Sequence, residues 1–514
     1  ISAWDTKYHY NFWRPITAIR EAASDDNPLT AAITNWVPFV TNTPNFPSYG
    51  SAHSTFSAAA ASVLSNFFGS DSNVFTVQPY NALVTARTYT NYSAAAREAG
   101  DSRILAGIHF PFDNTNALNA GFSLGNYISS SFLRAPADFV PDTDGVDTDG
   151  DGNVSNDYVN IQLSAGDGFA LGADGYDFYC FGFADMTGVR PEDVMMQGML
   201  AAEFSGPTFH FKEGQRVYLR LSNVGMLMRP DLFDPHTVHF HGFPNAAPIF
   251  DGEPMASISI NMGGTLTYFY KIVEPGTFMY HCHVEATEHM EMGMLGNCYV
   301  DPIQNNYTNG TVLAGGFIHS NGYTYVYNDG DGSTKYDVAY PLQLGSFDRL
   351  FHERQITVQP LTFNELRGDY PLLNGRGYPD TVKTSYLTNL NGLASQKISS
   401  LITARQGQTI LLRLSNLDTV KYHSVTLLGI PMKVVGQSAR ILRGPDPDGD
   451  GPLNGSNLYY QTSSITLGGG QSCDVLLDTA SVTPGTYLLY SADLAELSNG
   501  AEDFGGMMTE IVIE

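Results

Sequence analysis

The chain has 514 residues, with 26 Lys and Arg against 52 Asp and Glu, so its formal net charge is −26. A chain this acidic repels nucleic-acid phosphates and anionic lipid, which argues against nucleic-acid and membrane-surface roles. No apolar run reaches the roughly 18 residues that a membrane helix needs. Charged residues make up only 15% of the chain, a composition that we associate with secreted proteins and that predicts an extracellular or periplasmic location.

Residues 1–138 are predicted to form a helical domain. Apolar side chains recur at intervals of three and four residues within 52–68, 93–110 and 114–133, which is the period of a helix with one buried face. The Asp- and Gly-rich segment 139–164 then breaks the pattern and is expected to be a linker. At roughly 150 residues per domain, the chain length predicts about three or four domains.

Part of the linker has the spacing of a calcium-binding loop. Carboxylates stand at positions 1, 3 and 5 of a loop that begins at Asp147, and a glycine follows at position 6. This order resembles an EF-hand or dockerin loop, although position 12 is Tyr158 with an acid just before it. The expected calcium ligands are Asp147, Asp149, Asp151 and Asp157. Two shorter copies, 328–332 and 446–451, are expected to be weaker sites or plain turns.

Residues 165–514 are predicted to form two related all-β domains. Short alternating strands such as 216–221 and 265–270 are bounded by Gly, Pro and Asn, as in β sandwiches. The segment 214–223 also recurs as 407–416, which indicates an internal repeat. The expected modules are 165–302 and 361–514, joined by a connecting segment at 303–360.

Two histidine-rich segments of the first module, 235–242 and 280–294, are predicted to form two metal clusters. Side chains alternate between the faces of a strand, so His239 and His241 share a face that His236 does not. For the same reason, Cys282 points away from the histidines on either side of it. The first expected cluster is His236, Cys282, His289 and Met294, and the second is His239, His241, His281 and His283.

The ligand types indicate copper. Two imidazoles, one thiolate and a weak axial thioether make the site that copper uses for electron transfer. Zinc prefers four strong tetrahedral ligands and gains nothing from a methionine. Cys282 is also joined through its backbone to both flanking histidines, which gives electrons a short covalent route between the clusters.

This pattern resembles the multicopper oxidases, whose domains are cupredoxin-like Greek-key sandwiches. The resemblance implies that the thiolate set binds type 1 copper and that the imidazole set binds type 2 and type 3 copper. One departure is that His289 lies seven residues after Cys282, two more than in laccases.

The second module departs further from the family. Aligning the repeats places His423 on His236 and the segment 490–492, Tyr-Ser-Ala, on the His-Cys-His of 281–283. The trinuclear cluster of the family takes eight imidazoles from two modules, and only four are visible. The missing four are expected from a partner chain or a second copy; alternatively, the site holds a single copper, as in the related copper nitrite reductases. His423 is predicted to pack inside its module.

The helical domain carries residues suited to a tetrahedral oxyanion. Lys7 and Arg14 are two helical turns apart and share a face, whereas His109 and Asp113 are one turn apart and can form a hydrogen bond. Basic groups that converge near a hydroxyl would cradle phosphate or vanadate. The remaining members of this set are Ser51, His53 and Arg103.

Together these segments resemble the superfamily of vanadium haloperoxidases and type 2 phosphatidic acid phosphatases. The resemblance implies that Lys7, Arg14, Ser51 and Arg103 hold the oxyanion, that His53 is the acid or base, and that His109, oriented by Asp113, binds vanadium or accepts a phosphoryl group. Ala52 replaces a glycine of the family pattern, and only six residues precede Lys7. The helical domain is therefore expected to be incomplete at its amino terminus.

The sequence thus predicts a secreted copper oxidoreductase fused to a vanadate- or phosphate-binding domain. Its expected partner is a small-molecule electron donor or a metal ion substrate. One alternative is a non-catalytic extracellular structural or electron-relay protein, and a second is a phosphatase. Cys180 and Cys298 are expected to form a disulfide if the terminal strands of the first module pair, and Cys473 is expected to be buried.

Overall fold

The fold is described from a computed structural model, which covers residues 2–40, 43–78, 85–131, 147, 149–150, 152–153, 157–243, 247–444 and 455–514. The chain divides into two compact units, Ile1–Pro141 and Asp142–Glu514. Among the described helices, none has the length and apolar character needed to span a membrane.

The first unit is a helical bundle. Its elements are α1 (Ser2–Tyr10), α2 (Pro15–Arg20), α3 (Ala52–Phe67), β1 (Ser72–Val77), β2 (Arg87–Asn91), α4 (Tyr92–Leu105) and α5 (Pro111–Ser131). Helix α5 packs closely on α3, because a Cβ atom at Gly121 would lie 2.4 Å from the carbonyl oxygen of Thr55. Ser51 begins α3 as its N-cap, and α4 ends just before Gly107, whose φ is +75°. The helical prediction is confirmed, and the β1–β2 hairpin is an addition that it did not include.

The first β module contains two four-stranded sheets. Their orders are β4-β3-β6-β8 and β5-β10-β9-β7. The elements are β3 (Tyr158–Leu171), β4 (Asp177–Asp185), α6 (Val194–Gln197), β5 (Gly206–Lys212), β6 (Arg216–Gly225), β7 (His239–His241), β8 (Thr265–Lys271), β9 (Gly276–His281), α7 (Ala286–Glu291) and β10 (Leu295–Asp301). Apolar side chains from both sheets form one buried core, which is the sandwich that the alternating pattern predicted.

The second β module repeats this architecture. Its main sheets have the orders β14-β13-β18-β24-β20-β21, with β22 beside β20, and β17-β26-β25-β19-β23. The elements are β11 (Thr324–Tyr325), β12 (Lys335–Tyr336), β13 (Val338–Phe347), α8 (Arg349–Ile356), β14 (Tyr370–Leu373), β15 (Leu387–Thr388), β16 (Ala394–Gln396), β17 (Ile402–Ala404), β18 (Thr409–Asn416), β19 (His423–Leu427), β20 (Met432–Gln437), β21 (Arg440–Ile441), β22 (Tyr460–Thr462), β23 (Ser464–Leu467), β24 (Gln471–Asp478), β25 (Gly485–Ser491) and β26 (Met508–Ile513). Strand β13 belongs to the first of these two sheets, although it lies inside the segment 303–360 that was predicted as a connection.

The expected disulfide is not formed. Cys180 lies on β4 and Cys298 on β10, which belong to different sheets of the sandwich. All four cysteines are free and buried. The condition for a bridge, pairing of these two strands, is therefore not met.

A buried arginine joins the two β modules. Arg413 of β18 donates to Thr277 at 3.3 Å and to Asp301 at 3.4 Å, both in the first module. The Thr277 hydroxyl in turn donates to Asp474 of β24 at 2.5 Å. This network fixes how the second module faces β9, the strand that leads into Cys282.

The structure describes one of the two weaker Asp-Gly segments, 328–332. Asp329 accepts hydrogen bonds from the backbone amides of Gly332 and Thr334 and from the side chain of Gln304. This carboxylate is satisfied by the turn that it closes, so 328–332 is a plain turn. The other copy, 446–451, lies outside the described residues.

Candidate metal centres

The thiolate set comes together in a buried cluster. Cys282 follows β9, His289 lies on α7, and His236 pairs through its backbone with Ile260. The Sγ atom of Cys282 is 3.2 Å from Nδ1 of His289 and 3.8 Å from Nδ1 of His236. All three side chains are fully buried. The strand alternation predicted from the sequence therefore brings these three ligand atoms to one point.

Met294 is a backbone neighbour of the same cluster. It is fully buried, its amide donates to the carbonyl of His289 at 2.8 Å, and its carbonyl accepts the amide of Cys282 at 3.1 Å. These two backbone bonds hold Met294 between the residues that carry the thiolate and an imidazole. All four residues of the predicted set are thus neighbours.

The electrostatics of this cluster favour an ionised thiol. Burial alone would raise the pKa of Cys282, but the imidazoles of His289 and His236 hold that pKa well below its usual range. Burial would likewise lower the pKa of His289, yet Cys282 and Asp234 raise it to about 10. A thiolate beside two imidazoles is the donor set that a soft metal ion takes.

Acidic residues beside the thiolate set were not predicted. Asp234 approaches Nε2 of His289 to 3.9 Å, and Asp234, Glu285 and His289 can offer ligand atoms to one point. Asp234 stands two residues before His236 in the chain, and nothing in that spacing signalled a role. It faces the imidazole edge that points away from Cys282.

The imidazole set forms on the opposite side of the same strands. Strand β7 pairs with β9 so that His239 lies opposite His281. Nε2 of His241 is 2.9 Å from Nε2 of His281, and the rings of His239 and His283 are 4.8 Å apart. His239, His241 and His281 can direct one nitrogen each at a common point, with His283 beside them.

Two of these rings are anchored so that their Nε2 atoms are free to bind a metal. Nδ1 of His239 donates to the carbonyl of Asp251 at 2.6 Å, and Nδ1 of His281 donates to the carbonyl of Cys282 at 2.7 Å. Burial lowers the pKa of His281 to about 3 and also lowers that of His241. Neutral rings with converging Nε2 lone pairs need a cation between them, so these residues fit a metal ion.

The second module has the same strand register as the first, but most of the metal-ligating residues are replaced at the equivalent positions. Strand β19 pairs with β25 so that Thr426 lies opposite Tyr490, at the place where His239 faces His281 in the first module. His423, at the place of His236, sits between Asp418 and Glu496 at 2.9 Å from each. His423 packs by pairing with carboxylates, as its predicted structural role implied.

A cleft between the modules opens onto the imidazole set. It has a volume of about 400 Å³ and is lined on one side by His239 and His241. The second module contributes Ser438, Ala439, Gly470 and Ser472 to the other side. Among the described residues of this lining, the second module supplies no metal-ligating side chain.

In the helical unit, the predicted basic residues surround a histidine–aspartate pair. Nδ1 of His109 is 3.0 Å from Asp113, and Nε2 is 3.1 Å from NH1 of Arg14. The Lys7 ammonium donates to the carbonyls of Pro47 and Ser48 at 3.0 Å each. This arrangement lies at the junction of α1, α3 and α5.

The cluster contains cationic side chains whose hydrogen-bonding capacity is not fully used. NH2 of Arg14 and Nε of Arg103 are buried without a hydrogen-bond partner among the described residues. Burial, with Arg14 nearby, lowers the pKa of Lys7 to about 8, and burial lowers that of Arg14 to about 10. Burial and the charges of Arg103 and Lys7 also lower the pKa of His53. Cations that repel one another in a partly buried place fit an anion.

Two serines of the segment before α3 lie in this cluster, although only Ser51 was predicted to hold the oxyanion. Ser51 accepts the hydroxyl of Ser54 at 2.8 Å as the N-cap of α3. Ser48 donates to Asp113 and lies 3.4 Å from Nδ1 of His109. Ser48 belongs to the same Pro-Ser-Tyr-Gly-Ser segment and was not predicted, because its contact with Asp113 spans 65 residues of the chain.

Comparison with known proteins identifies the parts of the chain. Residues 1–136 match a family model described as the VCPO second helical-bundle domain, and residues 186–305 and 362–511 match two multicopper oxidase models. The chain joins a VCPO-type helical domain to two multicopper oxidase domains. Copper is accordingly the metal of the family to which the β modules belong.

Relatives of the multicopper oxidase domains match over short stretches. Multicopper oxidase elcG of Phaeosphaeria nodorum is 34% identical over 104 residues, 20% of this chain and 15% of the relative. An L-ascorbate oxidase of Cucurbita pepo var. melopepo is 34% identical over 121 residues, 22% and 19% of the two chains. These matches span less than a fifth of each relative. A blue copper oxidase of Nitrosomonas europaea is 22% identical with a TM-score of 0.48, covering 69% of this chain and 86% of that one.

The linker places three of the four predicted calcium ligands together. Asp147, Asp149 and Asp157 can direct oxygens at a common point. Asp151 lies outside the described residues. The Lys212 ammonium lies 3.8 Å from the carboxylate of Asp149, so it contacts one of the carboxylates that a metal ion would use.

Proposed function

We propose that this protein is a copper-dependent oxidoreductase in which the thiolate set binds type 1 copper and the imidazole set binds the second metal centre. The observation that carries the proposal is Cys282, whose buried sulfur lies 3.2 and 3.8 Å from two imidazole nitrogens. The family of the β modules supports copper as the metal. The multicopper oxidase relatives support oxidation of an electron donor as the activity.

Within this proposal, one copper is bound by His236, Cys282, His289 and Met294. The metal of the second centre is bound by His239, His241, His281 and His283. Copper supplies one-electron redox chemistry when it is bound. The protein keeps water from the thiolate by complete burial. Cys282 links the centres covalently, since its own backbone continues into His281 and His283.

The second centre is proposed to be half of a type 2 and type 3 cluster. The lining contributed by the second module has Gly470 and Ser472 where ligands would be needed. The remaining imidazoles would then come from a partner chain or a second copy; otherwise the centre holds a single copper. Copper analysis together with the molecular mass in solution separates these cases, because a completed trinuclear cluster binds more copper for each type 1 copper than a single-copper site does.

The electron donor is proposed to be a small molecule or a metal ion that docks beside His289. Asp234 and Glu285 offer carboxylates at the edge of this imidazole. A donor with positive charge or with hydroxyl groups would be held there. Replacing Asp234 with Asn would then raise the KM for such a donor without removing the colour of the bound copper.

The central test uses absorption. A copper-loaded type 1 site absorbs intensely at about 600 nm because of its thiolate ligand. The native protein should be blue, and Cys282→Ser should be colourless while it still binds copper at the imidazole set. A colourless wild-type protein with bound copper would refute the proposal. A blue protein that consumes no dioxygen with any donor would favour the alternative of an electron-relay or structural protein.

The helical unit is proposed to bind vanadate or phosphate between Arg14, Arg103 and Lys7. The unpartnered NH2 of Arg14 next to the His109–Asp113 pair is the observation that favours it. Bromide- and peroxide-dependent halogenation that vanadate restores would support haloperoxidase chemistry. Phosphate release from monoesters without vanadate would instead support a phosphatase, with His109 as nucleophile.

Two further points rest on the sequence. Calcium binding by Asp147, Asp149, Asp151 and Asp157 stays a prediction, which metal analysis of the native protein tests. Secretion stays a prediction from composition alone. Localisation of the full-length protein in its source cells tests it.

A further inference from the structure

The segment between Cys282 and Met294 carries two ligands of the thiolate set on little regular structure. His289 lies on α7, a helix of six residues. A helix this short is not stable by itself in water, because it forms too few hydrogen bonds to offset the ordering of its backbone. His289 also lies seven residues after Cys282, two more than in laccases. Contacts with the rest of the chain must therefore fix where His289 and Met294 lie.

Glu291 supplies one such contact. It lies on α7 between His289 and Met294 and is only 2% exposed. Its carboxylate accepts the backbone amide of Asp348 at 2.7 Å and the hydroxyl of Thr419 at 3.0 Å. Asp348 is the N-cap of α8, and Thr419 lies between β18 and β19. Both donors belong to the second module, so the carboxylate joins α7 to that module at two points.

Side chains of α8 make two further polar contacts with the same helix. Nε2 of His352 lies 3.2 Å from the carbonyl oxygen of Glu291, and the side-chain amide of Gln355 donates to Glu288. His352 is buried, and its Nδ1 lies 2.6 Å from the carbonyl oxygen of Tyr179 on β4. The contact between α7 and the second module is therefore polar along most of the helix.

Apolar packing alone does not fix α7 on this side. A cavity of about 40 Å³ lies where the two modules meet, and Met290, Glu291 and Thr419 are among the residues that line it. Side chains next to a void lack some of the contacts that would resist a shift. The hydrogen bonds of Glu291 therefore oppose a movement that the packing would allow.

We propose that Glu291 is a positioning residue of the thiolate centre, through which the second module fixes the positions of His289 and Met294 relative to Cys282. The proposal rests on the proposed function, because it assumes that these residues bind copper. The axial ligand and the hydrogen bonds around the thiolate tune the properties of such a copper site. A change in the hydrogen bonds of Glu291 should therefore alter the copper spectrum, even though Glu291 is not a ligand.

The first test removes one donor in the second module. Thr419→Val deletes the hydroxyl that donates to Glu291 and leaves the first module unchanged. In the copper-loaded protein, we expect a shifted thiolate absorption band, a changed copper hyperfine splitting in the electron paramagnetic resonance spectrum and a changed reduction potential. Thr426→Val is the matched control, because Thr426 donates to the carbonyl of Ser463 within the second module. A Thr419→Val protein with the spectra and potential of the wild type would overturn the proposal.

The second test changes Glu291 itself. Glu291→Ala should weaken copper binding at the thiolate set about 10- to 100-fold, as changes to the outer partners of a metal site do. Glu291→Gln keeps an oxygen for the amide of Asp348 and should restore both the affinity and the spectrum. Glu203→Ala controls for the loss of a buried carboxylate, because Glu203 accepts the ammonium of Lys397 in the second module. Equal copper affinity and spectra in the two alanine variants would overturn the proposal.

The third measurement needs no copper and separates this proposal from the proposed function. Amide hydrogen exchange of the metal-free protein reports how readily α7 opens. Exchange within 286–292 should be faster in Thr419→Val and Glu291→Ala than in the wild type, and unchanged exchange in both variants would overturn the proposal. A wild-type protein that binds copper without the thiolate absorption would refute the copper function, while faster exchange would still support the role of Glu291. If Glu291→Ala does not fold, Thr419→Val decides.

Discussion

The carbonyl oxygen of Cys282 accepts the Nδ1 hydrogen bond of His281 at 2.7 Å. The residue that supplies the thiolate of one centre therefore also orients an imidazole of the other. Since the two side chains leave opposite faces of the same strand, one backbone segment serves both centres. A substitution at Cys282 should therefore alter the imidazole set only if it moves the backbone carbonyl that accepts this hydrogen bond.

We expect Cys282→Ser to separate the two centres cleanly. A serine side chain keeps the backbone carbonyl in place, so the second centre should retain its metal. Absorption at about 600 nm should disappear, because the thiolate is its source. Copper analysis should show a loss of one copper per chain. A loss of all copper would mean that the centres do not bind independently.

The pairing of His423 predicts a stability that depends on pH. Burial opposes the charge, but the hydrogen bonds to Asp418 and Glu496 raise the pKa of His423 to about 9. The stabilisation is therefore complete below the ordinary pKa of 6.5 and is lost as the pH rises through about 9. On the acid side, the pKa of Asp418 is lowered by His423 despite burial, so its contribution is lost as the pH falls below about 3.8.

The measurement compares wild type with His423→Gln by denaturant unfolding at about pH 6 and about pH 9.5. The free energy of unfolding of the wild-type protein should fall between these values by up to about 3 kcal/mol more than that of the variant. His210→Gln is the control, since His210 pairs with Asp301 while half-exposed. Equal pH profiles for wild type and His423→Gln would show that folding does not raise the pKa of His423.

Alternation along the strands explains why the two clusters could be predicted from sequence. Pairs such as His239 and His241 have a period of two, and this period alone assigns each side chain to a face. Asp234 and Ser48 could not be predicted, because their contacts with His289 and Asp113 join segments that are far apart in the chain. The condition for the disulfide failed for a similar reason: the alternating pattern does not specify which sheet a strand joins, and β4 and β10 join different sheets.

Arg413 should be the most sensitive residue of the contact between the β modules. It is 1% exposed and lies within 4 Å of Asp301 and Asp474. Arg413→Ala leaves these carboxylates without their cation, which should cost about 3–5 kcal/mol of unfolding free energy. Arg440→Ala, whose side chain is 62% exposed beside Glu274, should cost at most about 1 kcal/mol. Similar losses for both variants would show that Arg413 does not hold the modules together.

Arg14→Lys tests whether the planar geometry of the guanidinium, beyond its charge, is needed to bind the anion in the helical unit. A lysine keeps the positive charge but cannot donate to the carbonyls of Phe46 and Ile108 while also facing an anion, as the planar guanidinium of Arg14 can. Loss of one charge-assisted hydrogen bond should weaken vanadate binding about 10- to 100-fold, as measured by calorimetry. Arg20→Lys is the matched control, because Arg20 donates to the carbonyl of Trp36 and has no place in the proposed site. Unchanged vanadate affinity in Arg14→Lys would place the anion elsewhere, whereas an equal loss in both variants would point to the fold of α2 as the cause.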